Sequence, residues 1–291
     1  MSGDAPHAPL SILTHPYTAL HPFDGGRRAL KEAARDPGSA VVWQVGSAED
    51  PPEAELLRRR PGGMALLVVL PHAARISGNP ELIRRIQELR PHGILPRYDE
   101  LRPVELAHVL RRPPFDLAVD VTDYIAWRGL EVDQETVRVI RRIVELAEEL
   151  KSVTALARSL YMSRRALGRR FMSRGLPVPS HWLQMARLLR VSLRLQNSDA
   201  SVFSVACEFG YPDGFSVSNQ MSRLFGFRPT EVRERFGWEW ILEAWLRREA
   251  EAGALTPTVA GRVRAEADDE PGMPPAMRKP ARPGRRVRSA S

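Results

Sequence analysis

The sequence predicts a multidomain chain in which a small α/β domain precedes an all-α domain and a disordered, basic tail. We place the α/β domain at residues 10–112, a linker at 113–135, the all-α domain at 136–250 and the tail at 251–291. Three observations support this prediction. The length of 291 residues favours two domains over one. Strand and helix patterns alternate near the N-terminus, and the stretch 151–198 contains no aspartate or glutamate.

The chain carries an excess of positive charge, almost all of it on arginine. The formal net charge is +8 and the sequence pI is about 10.3, and only Lys31, Lys151 and Lys279 are lysines. This balance favours an anionic partner, because arginine binds phosphate or guanine through two hydrogen bonds. A genome rich in G and C would also replace lysine by arginine everywhere, but it would not explain the acid-free stretch 151–198.

The N-terminal part alternates between strand and helix patterns. The run at 64–70 is apolar throughout, which is typical of a strand in a parallel sheet. Further strands are predicted near 10–13 and at 40–45 and 93–96, and helices at 27–34, 52–60, 80–89 and 103–111. This alternation predicts a small three-layer α/β domain.

The last strand and helix of this series, residues 93–106, resemble the end of a response-regulator receiver domain. The resemblance implies an acidic pair after the first strand, a phosphoacceptor aspartate after the third and a lysine after the fifth. Here the first loop has only Asp24, a later strand is followed by Gly46 and Ser47, and Arg97 stands at the lysine position. We therefore expect a receiver-like scaffold without phosphotransfer chemistry, or else a dimerisation or contact platform.

No arrangement of residues predicts catalysis or metal binding. The single cysteine, Cys207, excludes an intramolecular disulfide, and we expect it to be a buried structural thiol beside Ala206. The histidines lack ligand spacing, and no glycine-rich phosphate loop occurs. No signal sequence and no run of 18 apolar residues is found. We expect a non-enzymatic, soluble cytoplasmic protein without cofactor, metal site or membrane contact.

Residues 113–135 are predicted to connect the two domains. Pro113 and Pro114 end the preceding helix, and short apolar runs then mix with Asp and Gly. The alternative is that residues 115–121 add a strand to the first domain. A helix with an apolar stripe is predicted from Asp133 onward, because its acids suit the positive end of the helix dipole.

Two short helices joined by a tight turn are predicted inside the acid-free stretch. Leu156, Leu160, Leu167 and Phe171 fall on the buried faces, and Ser163 is placed to cap the second helix. That helix carries Arg164, Arg165, Arg169 and Arg170. A short, capped, arginine-bearing helix packed on a partner helix has the size and charge that a DNA major groove admits.

A similar pair of helices follows after a long helix. Pro179 opens that helix, whose length of about 16 residues corresponds to roughly 24 Å. A short helix then ends at Gly210, and Asp213 can cap another that runs to about Leu224. Pro229 begins a closing helix.

These two pairs resemble the helix-turn-helix units of the AraC/XylS family of bacterial transcription regulators. The match runs from about 137 to 236, a third of the chain. It is carried, in order, by Leu156, Ala157, Ser163, Leu167, Arg169, Phe171, Pro179, Trp182, Arg187, Leu188, Val205, Ala206, Gly210, Tyr211, Asp213, Gly226 and Pro229. The resemblance implies seven helices, of which the third and the sixth enter successive major-groove segments on one face of DNA. These helices would present Arg164, Arg165, Gly168 and Arg169 from the first unit and Gly214, Phe215, Ser216 and Asn219 from the second.

The second unit departs from the family pattern. The family usually has an arginine where Asn219 stands and polar residues around Gly214 and Phe215. Asn219 can still pair with adenine, and Phe215 can contact a thymine methyl group. Alternatively, this half packs or holds the DNA backbone weakly while the first half supplies most of the affinity. In the first half we expect Arg169 to contact a base. Phosphate or solvent contacts are predicted for Arg164, Arg170 and Arg174.

The end of the chain lies outside this resemblance. An apolar helix with Trp238, Trp240 and Trp245 either extends the core or forms a partner surface. Residues 251–291 have almost no large apolar groups, so we expect them to be disordered. Their basic end would add salt-sensitive, sequence-blind affinity for DNA, or else serve as an inert solubilising tail.

The residues together predict a sequence-specific DNA-binding transcription regulator whose N-terminal domain mediates dimerisation or signal input. We expect double-stranded DNA, a second copy of the chain and RNA polymerase as partners, and nucleoid association in the cytoplasm. The alternative is a protein-interaction regulator with degenerate, largely non-specific DNA binding. Selection from random DNA separates the two, because the alternative predicts no enriched motif.

Overall fold

The computed structural model describes residues 9–46, 53–70, 80–96, 101–130 and 132–264. The strands are β1 (Leu10–Leu13), β2 (Leu20–Phe23), β3 (Ala40–Gln44), β4 (Ala65–Val69) and β5 (Gly93–Leu95). The helices of the N-terminal half are α1 (Arg27–Ala33), α2 (Glu53–Arg58), α3 (Pro80–Glu88), α4 (Pro103–Arg111) and α5 (Leu117–Trp127). The later helices are α6 (Gln134–Glu145), α7 (Val153–Ser159), α8 (Arg164–Ser173), α9 (Pro179–Gln196), α10 (Val202–Glu208), α11 (Gly214–Leu224), α12 (Pro229–Glu234), α13 (Glu239–Glu251) and α14 (Pro257–Arg264).

The five strands form one mixed sheet in the order β2, β1, β3, β4, β5. Strands β3, β4 and β5 run parallel, whereas β1 is antiparallel to both β2 and β3. All residues of β4 are buried, because this strand has a neighbour on each side and helices lie over the sheet. Its unbroken apolar sequence reflects this central position.

Helices cover both faces of the sheet, so the predicted small three-layer α/β arrangement is confirmed. On one face Leu30 of α1, Leu57 of α2 and Ile86 of α3 are buried in a common cluster. On the other face Leu106 of α4 is buried in a cluster that also contains Phe236. A residue of the C-terminal half therefore completes the core of the N-terminal sheet.

The first two strands differ from the prediction. Strand β2 was not predicted, because it is short, half-exposed and contains Pro22, which cannot donate a hydrogen bond. Its position at the edge of the sheet tolerates that proline. Strands β1 and β2 form a hairpin, and β1 is antiparallel to β3 as well. A receiver has the same strand order with parallel strands, so the receiver-like scaffold is not confirmed, and Ser47 and Arg97 lie outside the described residues.

About half of the predicted linker is a helix, α5. The Asp116 carboxylate caps α5 by accepting hydrogen bonds from two backbone N–H groups at 3.0 and 3.1 Å. Leu117, Val121 and Ile125 recur at helical spacing and are buried in the core of the C-terminal half. The alternative of an added strand is therefore wrong, because these apolar groups pack against α6 and not against the sheet.

The C-terminal helices share one hydrophobic core arranged around α9. Trp182 of α9 is fully buried and lies 4.7 Å from the ring of Trp245 in α13. Helix α6 begins at Asp133, whose carboxylate accepts a hydrogen bond from the Thr136 N–H at 3.1 Å. The tryptophan-bearing helix thus extends this core, as one of the two alternatives predicted.

The predicted tail is ordered at its beginning. Helix α13 runs to Glu251 and α14 covers Pro257–Arg264, with Leu255, Ala260 and Val263 buried. These three small or medium apolar groups are enough to hold one short helix against α13. The prediction of disorder from residue 251 is therefore wrong for this part, and the basic end lies outside the described residues.

Buried polar contacts attach α13 to the elements around it. Arg128 donates to the Glu243 carboxylate at 2.8 and 2.9 Å, and the Tyr124 hydroxyl donates to the same group at 2.9 Å. His92, before β5, lies 2.7 Å from Glu239. Burial alone would lower the pKa of His92, but the carboxylate of Glu239 raises it above its usual value. The buried pair of His92 and Glu239 thus joins the sheet to α13, and Glu243 joins α13 to α5.

Candidate nucleic-acid interface

The first helix-turn-helix consists of α7 and α8. The Ser163 hydroxyl accepts a hydrogen bond from a backbone N–H of the first turn at 3.1 Å, which confirms it as the cap of α8. Leu167 and Phe171 are fully buried beneath this helix, as predicted, whereas Leu160 is only partly buried. In the turn, Tyr161 has a φ of 54° and an almost fully exposed side chain. The solvent side of the unit is therefore set by α8 and by this turn.

Three arginines of α8 are exposed and have no side-chain partner among the described residues. The guanidinium groups of Arg164, Arg165 and Arg169 make no hydrogen bond or ion pair there. Gly168 lies among them, and a Cβ placed there would have no atom within 4 Å. This surface combines free guanidinium groups with open space above the helix, as close approach to a phosphate backbone requires.

Arg170 differs from these three arginines, although it was predicted alongside them. Its Nη2 lies 2.8 Å from Glu135, and the neighbouring Arg174 contacts Asp133 at 2.8 Å. Hydrogen bonds from Thr136, together with the nearby Arg174, lower the pKa of Asp133 to about 2. Both arginines thus form ion pairs with acids at the beginning of α6, which lies outside the acid-free stretch. The DNA contact of Arg170 stays a prediction.

Other arginines of the acid-free stretch hold the helical core together. Arg187 donates to the carbonyl oxygens of Ala147 and Leu150, and Arg190 donates to the Val144 carbonyl and to Glu148. Arginines near the end of a helix satisfy its last carbonyl groups in this way. The acid-free stretch therefore contains more arginines than are available to bind a ligand.

The second helix-turn-helix consists of α10 and α11. The Asp213 carboxylate caps α11 by accepting the Ser216 N–H at 2.7 Å, and this hydrogen bond lowers the pKa of Asp213. Gly210 has a φ of 74° at the end of α10, a conformation that glycine adopts without strain. Val217 and Met221 are fully buried. The predicted cap and turn of this unit are confirmed.

The solvent side of α11 carries a different chemistry. The Phe215 side chain is 74 % exposed and Asn219 is exposed, whereas Gly214 and Ser216 are partly buried. The first two turns of the helix contain no cation. Arg223, near the end, donates to Gln184 at 3.2 Å. The four predicted residues thus lie together at the beginning of α11, but they offer an aromatic ring and an amide instead of charge.

Cys207 is exposed, so the prediction of a buried structural thiol is wrong. Helix α10 buries Val205, Ala206 and, just beyond its end, Phe209. The position after Ala206 is turned about 100° around the helix, which brings the thiol out of the core.

Aromatic contacts connect α13 with the back of both units. In the first unit the ring of Phe171 lies 6.2 Å from Trp182, which contacts α13. At the end of the second unit Phe227 lies 5.3 Å from Phe225 and 4.6 Å from Trp240 of α13. The positions of α8 and α11 therefore depend on one shared helix behind them.

Two exposed residues were not predicted as part of this surface. Arg158, on α7, is exposed and pairs with no described residue. Phe203, on α10, is 60 % exposed and follows the beginning of that helix, close to Gly214. Helical periodicity places both on the solvent side of the first helix of their unit, so this signal was present in the sequence.

The described part of the chain shows neither a metal-binding cluster nor a membrane-spanning helix. Histidine, cysteine and acidic side chains do not gather in groups of three or more suited to a metal ion among the described residues. In the same residues, none of the helices has the length and apolar character that crossing a membrane requires.

Residues 156–235 match a family model described as "Helix-turn-helix domain". The match begins within α7 and ends after α12, and it identifies a helix-turn-helix domain of the AraC type. At the family level it indicates a DNA-binding transcription regulator. No curated protein and no solved structure is significantly similar to the chain.

Proposed function

We propose that the protein is a sequence-specific transcription regulator that reads two major-groove segments, one with α8 and one with α11. The observation that carries the proposal is a set of three exposed arginines whose side chains have no partner in the described parts of the chain. These are Arg164, Arg165 and Arg169, on the second helix of a matched helix-turn-helix domain. Guanidinium groups left without a carboxylate are available to phosphates and to guanine edges.

In the first unit, Arg169 contacts a base and Arg164 and Arg165 contact phosphates. Arg169 lies one and a half turns into α8, on the exposed side. Arg164 and Arg165 lie in the first turn of this helix. Backbone N–H groups at that end also favour a phosphate. Gly168 supports this assignment, because the space above it admits the DNA backbone.

In the second unit, Asn219 pairs with adenine and Phe215 contacts a thymine methyl group. Both side chains are exposed on the first turns of α11. An asparagine can bind adenine through two hydrogen bonds, and an aromatic ring can pack on a thymine methyl. Neither contact neutralises a phosphate, so this unit contributes to sequence preference more than to salt-dependent affinity.

We further propose that the protein acts without catalysing a reaction, in association with the nucleoid in the cytoplasm. Its net charge of +8 favours this location near DNA. The N-terminal α/β domain mediates homodimerisation, and the DNA-bound protein contacts RNA polymerase.

Selection of bound duplexes from random DNA by the full-length protein tests the proposal. The expected result is an enriched motif in two parts, which correspond to the two units. Arg169→Ala weakens binding to the enriched site by about 1–3 kcal/mol and relaxes preference at one base pair. Arg142→Ala is the matched control, because this exposed arginine lies on α6 and pairs with Glu145. Equal losses on enriched and random DNA would reduce Arg169 to a phosphate contact.

A second function is favoured by the exposed aromatic residues Phe203 and Phe215. Their exposed fractions of 60 % and 74 % suit a protein partner as well as DNA. On this hypothesis the protein is an interaction regulator with largely non-specific DNA binding. The same selection would then return no enriched motif, and Phe203→Ala would impair partner binding without changing DNA affinity.

A further inference from the structure

A cavity of about 470 Å³ lies between the sheet and the helical half of the protein. Its wall is formed by the chain around His92 and β5, by α5, and by Trp238 and Glu239 at the beginning of α13. Small-molecule sites typically have volumes of roughly 300–1,000 Å³ and lie between domains. The dimensions and the position of this cavity are those of a ligand site.

One side of the cavity is aromatic. The rings of Tyr124 and Trp238 lie 5.5 Å apart in a T-shaped arrangement. The side chains of Tyr124 and Trp238 are almost fully buried, and the Tyr124 hydroxyl already donates a hydrogen bond to Glu243. The narrow part of these two rings that lines the cavity is suited to contact with a planar ring.

The cavity wall also contains a cation with unused hydrogen-bonding capacity. The Arg90 Nη1 atom is buried and has no hydrogen-bond partner among the described residues. Its Nη2 atom lies 3.6 Å from the Asp123 carboxylate, too far for a good hydrogen bond. Burial lowers the pKa of Arg90, and the nearby carboxylates of Asp123 and Asp120 oppose this effect only in part. A bound carboxylate would supply the missing acceptor.

A carboxylate that lacks a donor lies in the same wall. Asp120 of α5 is half-buried, and its carboxylate forms no hydrogen bond or ion pair with a described residue. Burial raises the pKa of Asp120, although the nearby Arg90 opposes this effect. A hydroxyl or ammonium group of a ligand would donate to it.

His92 and Arg60, two other basic groups of this wall, are already satisfied. His92 is paired with Glu239 at 2.7 Å. Arg60 donates to the carbonyl oxygens of Leu57 and Leu89. Arg112, at the exposed edge of the wall, also has no side-chain partner among the described residues. The groups open to a ligand are thus the cations Arg90 and Arg112 and the carboxylate of Asp120 beside an aromatic surface. They are the complement of a ring that carries both an acid and a donor.

We propose that this cavity binds a small aromatic acid that also carries a hydroxyl or an ammonium group. Its carboxylate pairs with Arg90 and its donor group with Asp120. Its ring packs against Tyr124 and Trp238. Nothing in this assignment depends on DNA binding.

The cavity is also placed to regulate the proposed DNA-binding function, and this second step rests on that function. Trp238 and Glu239 begin α13, whose Trp245 contacts Trp182 of α9 at 4.7 Å. Trp182 in turn contacts Phe171 of α8 at 6.2 Å. A ligand that shifts the beginning of α13 would therefore change how α8 is held.

Four related compounds test the binding site on the full-length protein without DNA. They are 3-phenyllactate and L-phenylalanine, which carry both groups, 3-phenylpropionate, which lacks the donor, and phenethylamine, which lacks the carboxylate. Ligand-observed NMR at up to about 10 mM detects millimolar binding. We expect at least one of the first two to bind about 10-fold more tightly than the last two, because a hydrogen bond to a charged group is lost. No binding by any of the four would overturn the proposal.

Variants assign the two groups of the ligand. Arg90→Gln removes the preference of the site for a carboxylate, and Asp120→Asn weakens the compounds that carry a donor but leaves 3-phenylpropionate unchanged. Matched controls are Arg59→Gln and Asp199→Asn, which change the same residue types outside the cavity. If Arg90→Gln fails to fold, Asp120→Asn with the four compounds still decides the matter. Equal weakening by control and cavity variants would contradict the assignment.

A final measurement separates this site from the proposed function. DNA affinity is measured with and without the compound that binds best, on the motif obtained by selection. A change of at least about 5-fold that Asp120→Asn abolishes supports regulation through α13. Ligand binding without any DNA binding would remove the proposed function but leave the site in place. DNA binding that the compound does not affect would remove the regulatory step alone.

Discussion

The two helix-turn-helix units share a backbone design and differ in their surfaces. In the turn of the first unit the Met162 N–H donates to the Ala157 carbonyl at 2.9 Å, and in the second the Tyr211 N–H donates to the Ala206 carbonyl at 2.9 Å. In each unit a side-chain oxygen then caps the second helix. Counted from that cap, Arg165 corresponds to Phe215 and Arg169 to Asn219.

Comparing the two units shows which positions the fold constrains. The cap, the turn and the two buried residues of the second helix serve the same purpose in both units, because they satisfy backbone groups and fill one core. The exposed positions carry no such constraint, so one unit presents charge and the other an aromatic ring and an amide.

The largest loss of stability is expected when a tryptophan of α13 is replaced by alanine. Trp245→Ala and Trp240→Ala should each lower the free energy of unfolding by about 3–5 kcal/mol, because each leaves a cavity in the shared core. Denaturant titration measures the loss, and amide exchange should increase mainly in α8 for the first variant and near the end of α11 for the second.

Trp245→Phe is the control for this prediction. It keeps an aromatic contact and removes an indole N–H that has no acceptor among the described residues. It should therefore be much less destabilising than Trp245→Ala. Equal increases in exchange across both units would show that α13 supports the domain without distinguishing them.

The next effect concerns DNA affinity. Replacing Arg165 and Arg169 by alanine should weaken binding by about 2–4 kcal/mol and reduce the salt slope of the binding constant by roughly 1–2. Replacing Phe215 and Asn219 should leave that slope unchanged and reduce preference for A·T pairs by about 1–3 kcal/mol. Fluorescence anisotropy over a range of salt concentrations measures both, and a similar change of slope in the two double variants would contradict the contrast.

A smaller effect distinguishes the two caps by their pH dependence. Ser163→Ala should lower stability by about 1 kcal/mol at every pH, because a hydroxyl cap does not titrate. The pKa of Asp213 is lowered by the Ser216 N–H, so its contribution is present above the ordinary pKa of aspartate and is lost as the pH falls through the lowered value. Thermal unfolding between pH 7 and about pH 2 should show the effect of Asp213→Ala shrinking while that of Ser163→Ala stays constant.

The smallest expected change in stability has opposite signs in the turns of the two units. Tyr161 and Gly210 both have a left-handed backbone, with φ of 54° and 74°. Tyr161→Gly should be neutral or stabilising by up to about 1 kcal/mol, whereas Gly210→Ala should be destabilising by about 1 kcal/mol. Thermal unfolding measures both changes, and a matching destabilisation by Tyr161→Gly would mean that the exposed tyrosine makes a contact of its own.

The sequence alone predicted much of the candidate interface. Ser163 and Asp213 were identified as caps, and Phe171 as a buried residue, because capping and helical periodicity depend on residues only a few positions apart. Helix α5 was missed, although its apolar spacing is helical, because the preceding prolines and the mixed composition are typical of a linker. Strand β2 gave no signal, since an exposed edge strand needs no apolar pattern.

The order of residues along the chain was enough to predict where the helices of the two units begin, which of their faces are buried and that one of them carries arginine. These properties follow from local hydrogen bonds and from the period of the helix. Arg170 pairs with Glu135 of α6 and Arg190 with Glu148 just after α6, and both acids are distant from these arginines in the sequence. Only the packed fold therefore distinguishes the two from Arg169, which has no side-chain partner among the described residues. It alone also placed Arg90 and Asp120 in one cavity, since they come from different elements that meet only when the sheet packs on the helices.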